Sequence, residues 1–393
     1  MTEKKKYLVV FFFMAVIFLG HPAMTAEAKE NPMSDKLKKE LEEIEEEISL
    51  DEIDHVLKES SLKGDYSFSD MVKLFINGDL ESGLEQTGQA LYQCFLGELS
   101  SNKKNVIQIV LIAILSALFT NLATGFLSSS LQETGFFAVY LTMTGVVLHS
   151  FFLMISITEQ TLSEVFAFLE ALIPAYAIAI TMVSGSASSI ALYEVTFLVM
   201  KGCQWALKTI LMPLIEIYML VGVVNYLGES ERFTYMGELL KKGVEQMLKW
   251  SLGIIVGINL IQNMILPAVD SVKSNLWQKG LSAIPGAGPV ISLVTGSLLG
   301  SSVLIKNSIG AGGLVILILL CAVPIVKLLI LMVSFYLCAA FLQPISDKRL
   351  MKLLYTAGES GKLFLQVLIT CVALFFITIA LAAVSTNVRY YAG

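Results

Sequence analysis

Six stretches of this chain, about 106–127, 135–157, 208–227, 250–269, 313–341 and 363–384, are each long and apolar enough to cross a lipid bilayer. A hydrocarbon core about 30 Å thick takes roughly 20 helical residues. Within it every backbone N–H and C=O must be bonded inside the protein, so runs of this length read as helices. Composition agrees: of 393 residues 55% are apolar and only 15% charged, with a mean hydropathy of +0.72. A soluble domain carries about a quarter of its residues as charges. A water-soluble enzyme, a disordered chain and a nucleic-acid-binding protein are excluded, and the expected class is an all-α polytopic membrane protein.

The net charge of −6 is a local property. Eleven acids and four lysines fall between Asp35 and Glu59, where Leu37, Leu41, Ile44 and Ile48 recur at helical spacing. That pattern suits either a solvated amphipathic helix or a docking helix. Upstream, Lys4-Lys5-Lys6 precedes an apolar run from Tyr7 to Gly20 and then Ala26-Glu27-Ala28, the pattern of an export signal with a cleavage site. The run is short for a permanent span, and an uncleaved first anchor is the alternative reading. Residues 1–28 are therefore expected to be a signal peptide and 29–105 an exported acidic and amphipathic segment, its second half (Met71, Leu74, Phe75, Leu80, Leu84) lying on the outer membrane surface.

Two further stretches, 165–205 and 281–312, are apolar but interrupted by small and polar residues. Irregular backbone at membrane depth survives only where protein or water satisfies it, so both read as hairpin helix pairs, re-entrant or just crossing. Either choice leaves the basic loops 228–249 and 343–362 on the cytoplasmic side, with 158–164 and the C-terminus outside, in keeping with the excess of Lys and Arg expected inside.

The two stretches also match each other at an offset of 111 residues. Ile173-Pro174 returns as Ile284-Pro285, the run Met182 to Ser186 containing Gly185 returns as Leu293 to Ser297 containing Gly296, and Pro213 returns as Pro324. This predicts a first helix pair over 106–164, a membrane repeat over 165–270 and a second over 271–393. Repeats of hairpins and paired spans also occur in self-contained secondary transporters, which is the alternative functional reading.

Ionisable side chains within membrane segments are expensive and mark sites. Glu216 and Lys327 occupy equivalent repeat positions, three residues after the paired prolines, and Glu194 and Lys306 are within one residue of equivalence. Each pair is expected to bridge the halves or to line a polar pathway. Lys201, Lys208 and Lys306 could equally snorkel to an interface. His149 reads as a hydrogen-bonded core residue, and the cysteines as small buried hydrophobes. The sequence contains no HExxH pattern, no paired Cys/His set and no phosphate-binding glycine loop, so neither a catalytic residue, a metal nor another cofactor is expected.

The stretch Ser302 to Gly310, together with Pro324, Lys327, Tyr336 and Leu342-Gln343-Pro344-Ile345-Ser346-Asp347, resembles the stage III sporulation protein AE family of endospore-forming bacteria. The resemblance runs over nearly the whole chain and is most specific from about Ile284 to Asp347. It implies a mother-cell protein in the membrane around the forespore, with its exported face toward the space between the two membranes. It implies membership of a channel or secretion-like apparatus that supports late forespore development. The implied partners are other stage III A proteins, including a secretion-type ATPase and ring-forming components, and the forespore protein Q, besides membrane lipid. Lys306, Asn307, Lys327, Gln343, Pro344 and Asp347 are carried as motif positions without an assigned role.

Overall fold

The computed structural model describes residues 50–60, 67–76, 129–184, 188–228, 231–281, 288–344 and 346–391, with scattered positions between 97 and 118. The backbone alone is described for 129–132, 182–184, 188–193, 259, 262–281, 288–302 and 380–391. The described residues pack as one unit within Glu46–Gly393. Among them every regular element is helical: α1 (Leu50–Glu59), α2 (Phe68–Ile76), α3 (Ser129–Ser184), α4 (Ser188–Trp205), a π-helical turn (Ala206–Leu211), α5 (Met212–Leu227), α6 (Thr234–Leu281), α7 (Gly288–Leu342) and α8 (Lys348–Tyr391).

Among the described residues four helices are long and apolar enough to cross a membrane, over Glu133–Thr181, Glu194–Leu227, Val303–Leu342 and Lys348–Ile379. They contain the expected spans 135–157, 208–227 and 313–341 and most of 363–384. The expected span 250–269 lies inside α6, whereas 106–127 falls largely outside the described residues. Also outside them are the signal peptide and the seam from Leu37 to Ile48.

The helices are longer than the hydropathy pattern suggested. No turn occurs at 158–164: α3 runs unbroken for 56 residues, with Pro174 inside it. At 1.5 Å per residue it is about 84 Å long, well over twice the hydrocarbon thickness of about 30 Å. The stretch 165–205 is a pair of antiparallel helical arms, as expected of a hairpin, with Lys201 of α4 paired to Glu170 of α3; its first arm is the far end of α3 and not a separate helix. Likewise α7 runs for 55 residues through Gly296, Gly300, Gly310, Gly312, Gly313 and Pro324. Glycine weakens an isolated helix, but here the small residues admit close neighbours. A Cβ on Gly313 would lie 2.7 Å from Leu172 Cδ2 on α3, and one on Gly312 would lie 3.3 Å from both Phe68 and Val72 on α2.

The offset of 111 does not carry helix ends onto helix ends. Pro174 is inside α3, whereas its counterpart Pro285 lies outside the described residues, between the end of α6 and the start of α7. Gly296 is inside α7, whereas Gly185 lies outside the described residues between α3 and α4. The two span prolines differ too. Pro213 enters α5 directly after the π-helical turn, in which the Met212 N–H donates to the Leu207 carbonyl. That wider turn gives the ring space that an α-helical carbonyl four residues back would deny it. Pro324 sits within α7, which continues past it.

The core is formed by α3, α7 and α8. Phe151 on α3 packs on Phe364 of α8 at 5.6 Å, and Phe166 on Phe375 edge-to-face at 5.4 Å. Helix α2, in the stretch expected to be exported and to lie on the membrane surface, joins this core. Phe68, Met71, Val72, Phe75 and Ile76 of α2 are buried, and Phe68 meets Phe168 of α3 at 6.2 Å. The Asp54 carboxylate of α1 caps α2, accepting the Phe68 N–H at 2.5 Å and the Ser67 hydroxyl at 3.0 Å. The two short helices are thus tied to each other by one acid.

The other correction concerns 228–249, expected as a basic loop. From Thr234 it is helix, running antiparallel beside α5. A Cβ on Gly237 would lie 3.9 Å from Tyr218 and 4.0 Å from Val221. Asn225 holds the turn, donating to the Thr234 hydroxyl at 3.1 Å and accepting the Phe233 N–H at 2.7 Å.

Candidate functional site: a buried charge network

The most heavily buried acid among the described residues is Glu359 on α8, only 4% exposed. Burying a carboxylate is affordable only with close counter-charges and donors, and three helices supply them. Lys241 of α6 lies 2.5 Å from Glu359 Oε2, Lys362 of α8 lies 3.3 Å from the same oxygen, and the Tyr336 hydroxyl of α7 donates to Oε1 at 2.8 Å. Lys362 also reaches Glu245 of α6 at 3.9 Å. Two lysines and two glutamates leave the cluster neutral. Tyr336 stacks edge-to-face on Tyr355 at 5.5 Å.

Small residues let the backbones come this close. A Cβ on Gly358 would meet the Tyr336 ring at 3.0 Å, one on Gly361 would meet Met154 Sδ at 3.0 Å, and one on Gly222 of α5 would fall 2.6 Å from Thr356 Cγ2. Ser360, wholly buried, donates to the Thr356 carbonyl at 2.9 Å. The network therefore ties α6, α7 and α8 at one level, with α5 pressed against it.

A second set of polar contacts joins α3 to α4 and the π turn. Lys201 pairs with Glu170, and Lys208 donates to the Ser163 hydroxyl at 2.7 Å. Glu216 interacts electrostatically with Glu159. Glu216 and Lys327 are both half-buried, Glu194 is exposed on α4, and Lys306 is wholly buried in α7. His149, expected in the core, is exposed on α3. Of the described cysteines Cys321, Cys338 and Cys371 are buried and Cys203 half-buried, all as free thiols.

The motif residues now have surroundings. Asp347 caps α8: its Oδ1 accepts the Arg349 N–H at 2.8 Å, and its carboxylate also meets the Arg349 guanidinium at 3.2 Å. That guanidinium lies 3.4 Å over the Phe136 ring of α3, so the cap fixes α8 against α3. Gln343 and Pro344 are exposed in the short α7–α8 connection. Pro324 is buried in α7. Asn307 Oδ1 and the Tyr176 hydroxyl are buried with no hydrogen-bond partner among the described residues.

Sequence reasoning missed Glu359, Lys362, Lys241 and Glu245 because it assigned them to loops, where charges need no partner. A usable signal was present. Gly358 and Gly361 flank Glu359 and Ser360, and small residues bracketing an acid in a helix mark a close crossing. Among the described residues no group of three or more His, Cys, Asp or Glu is placed to hold a metal ion.

Among the described residues, a helical bundle with four helices long and apolar enough to cross a membrane, pinned by a neutral cluster of buried charges, has the character of a polytopic membrane protein. A family model described as stage III sporulation protein AE matches residues 66–386, most of the chain. The chain belongs to this family, and with it to the proteins of sporulation. It is 24% identical over 315 residues to "Stage III sporulation protein AE" of Bacillus subtilis (strain 168), covering 80% of this chain and 79% of the relative. No solved structure matches.

Proposed function

We propose that this chain is a multi-pass membrane component of a channel or secretion-like apparatus linking mother cell and forespore, required for late forespore development. The observation that carries this reading is the family match from residue 66 to 386, which takes in α2 and all four described apolar helices long enough to cross. Its partners are other stage III A proteins, among them a secretion-type ATPase and ring-forming components, with protein Q from the forespore side. An acidic exported segment fits this role, since a carrier acting alone has no use for one.

The chain lies in the mother-cell membrane around the forespore, with residues 29–105 and the C-terminus outside the mother-cell cytoplasm. The connections 228–233 and 343–347 lie inside, beside Arg232, Lys348 and Arg349. Residues 165–270 and 271–393 are duplicated units whose helix ends have since diverged.

The test is purification of the tagged, full-length chain from sporulating cells. Co-recovery of the ATPase and the ring-forming proteins, with arrest of late forespore development on deletion, is the expected result. Recovery of the chain alone, together with solute transport by the purified chain in vesicles, would establish the transporter reading instead.

A further inference from the structure

At the level of the Glu359 network, the outward faces of three neighbouring helices differ in kind. On α5 the exposed side chains are Ile217, Leu220, Val224 and Leu227, and on α7 they are Leu329, Val333, Leu337 and Phe341. Both are helical stripes without a single polar group, the surface a bilayer requires. On α6, Glu238 and Lys242 stand outward with side chains 57% and 75% exposed, followed along the same stripe by Gln246 and Lys249, also exposed. Between Glu238 and Lys249, Leu239 is the one large apolar side chain on that face, with Tyr235 and Trp250 exposed at its ends.

The three faces share one depth. Gly237 of α6 lies against Tyr218 and Val221 of α5, so Glu238 stands level with the Ile217–Leu220 end of the α5 stripe, and Lys242, further along the antiparallel pair, with about Leu214 to Glu216. Lys241, on the same turn of α6, is joined through Glu359 to Tyr336 of α7, between Val333 and Leu337. If this whole level stood in water, two long apolar stripes would be exposed to it. If it were ringed by lipid, Glu238 and Lys242 would sit in hydrocarbon. Snorkelling does not relieve the stripe, because Lys249 is about 22 Å along the axis from Thr234, further than a lysine stem extends.

We propose that the outward face of α6 from Glu238 to Lys249 borders water at membrane depth, as one wall of an aqueous crevice or passage whose opposite side, α5 and α7, faces lipid. Lys242 and Lys249 against Glu238 make the wall net positive, so it favours hydrated anionic solutes over cationic ones. This deepens the reading of the chain as an apparatus component. It requires only that the chain sits in a bilayer, and not the named partners.

The experiment uses the full-length chain, with its native cysteines replaced, reconstituted in phospholipid vesicles. A single nitroxide label is placed through Ile217→Cys, Leu220→Cys, Lys242→Cys or Gln246→Cys, at partly or fully exposed positions where a label disturbs little packing. Electron paramagnetic resonance then compares accessibility to molecular oxygen, which concentrates in lipid, with that to a water-soluble nickel chelate. The expected result is a several-fold excess of oxygen over chelate accessibility at 217 and 220, and the reverse at 242 and 246. Oxygen-dominated signals at all four sites would put α6 in lipid, and chelate-dominated signals at all four would put the whole level in water. Exclusion of both probes at 242 and 246 would mean that protein covers them. Each of these three results overturns the proposal, while co-purification of partners from cells would be unaffected by any of them.

Discussion

Lys241 on α6 lies 2.5 Å from the Glu359 carboxylate on α8, and that carboxylate is within 3.3 Å of Lys362 as well. One buried acid thus bridges two lysines from different helices, Glu245 balances the second lysine, and Tyr336 supplies a further donor from a third helix. Removing one member of a buried pair leaves the other charged and unpaired, at a cost of about 3–5 kcal/mol when burial is complete. Both lysines keep some exposure, so for Glu359→Gln we expect a loss of about 2–3 kcal/mol. Thermal denaturation in detergent would show it as a lower Tm. Exchanging the charges, Lys241→Glu with Glu359→Lys, should recover part of the loss. A single variant that melts like the parent would refute the role given to this pair.

The close approach of α5 and α8 rests on a missing methyl group. In Gly222→Ala the new Cβ would sit 2.6 Å from Thr356 Cγ2, and overpacking of this kind typically costs about 1–3 kcal/mol. Because one methyl causes the clash, Thr356→Ser should relieve it. The double variant is expected to melt within a few degrees of the parent, while Gly222→Ala alone melts lower. Additive losses would show that the contact is not what holds these helices together.

Helix α2 is held at two places, by the Asp54 cap and by the glycine seam on α7. Asp54→Ala removes the acceptor for the Phe68 N–H and the Ser67 hydroxyl, an effect of about 1–2 kcal/mol for a helix cap. Hydrogen exchange should then speed up across 68–76 and leave the α7 amides near Ile316 unchanged. Gly312→Leu, which intrudes on Phe68 and Val72, should do the same more strongly. Unchanged exchange at α2 in both variants would count against this anchoring.

The proposed Glu216–Lys327 bridge between repeat positions has its own test. Glu216→Lys and Lys327→Glu should each reduce the yield of folded protein extracted from membranes. Combining them should restore it, because the attraction returns with reversed polarity. Failure of the double variant to recover would remove the bridge from the account.

What the sequence determined by itself was the solvent. Apolar runs of this length, with so few charges, leave helices in a bilayer as the only way to bond their backbone, and the block from Ile284 to Asp347 was enough to suggest the family. The cap at Asp347 sits inside that block, yet only its position, not its role, was legible. Hydropathy misplaced the ends of the helices, because a pattern of charges and glycines records local preference rather than neighbours. The polar stretch 158–164 did not end α3, and the glycines of 310–313 did not break α7, where they make room for Leu172 and Phe68. The tertiary structure alone decided which charges meet. Glu359, Lys362, Lys241 and Glu245 lie in two segments more than 100 residues apart that a linear reading assigns to basic loops. They become a buried site only when α6 and α8 fold back beside their neighbours, since a charge pair depends on separation in space and not along the chain.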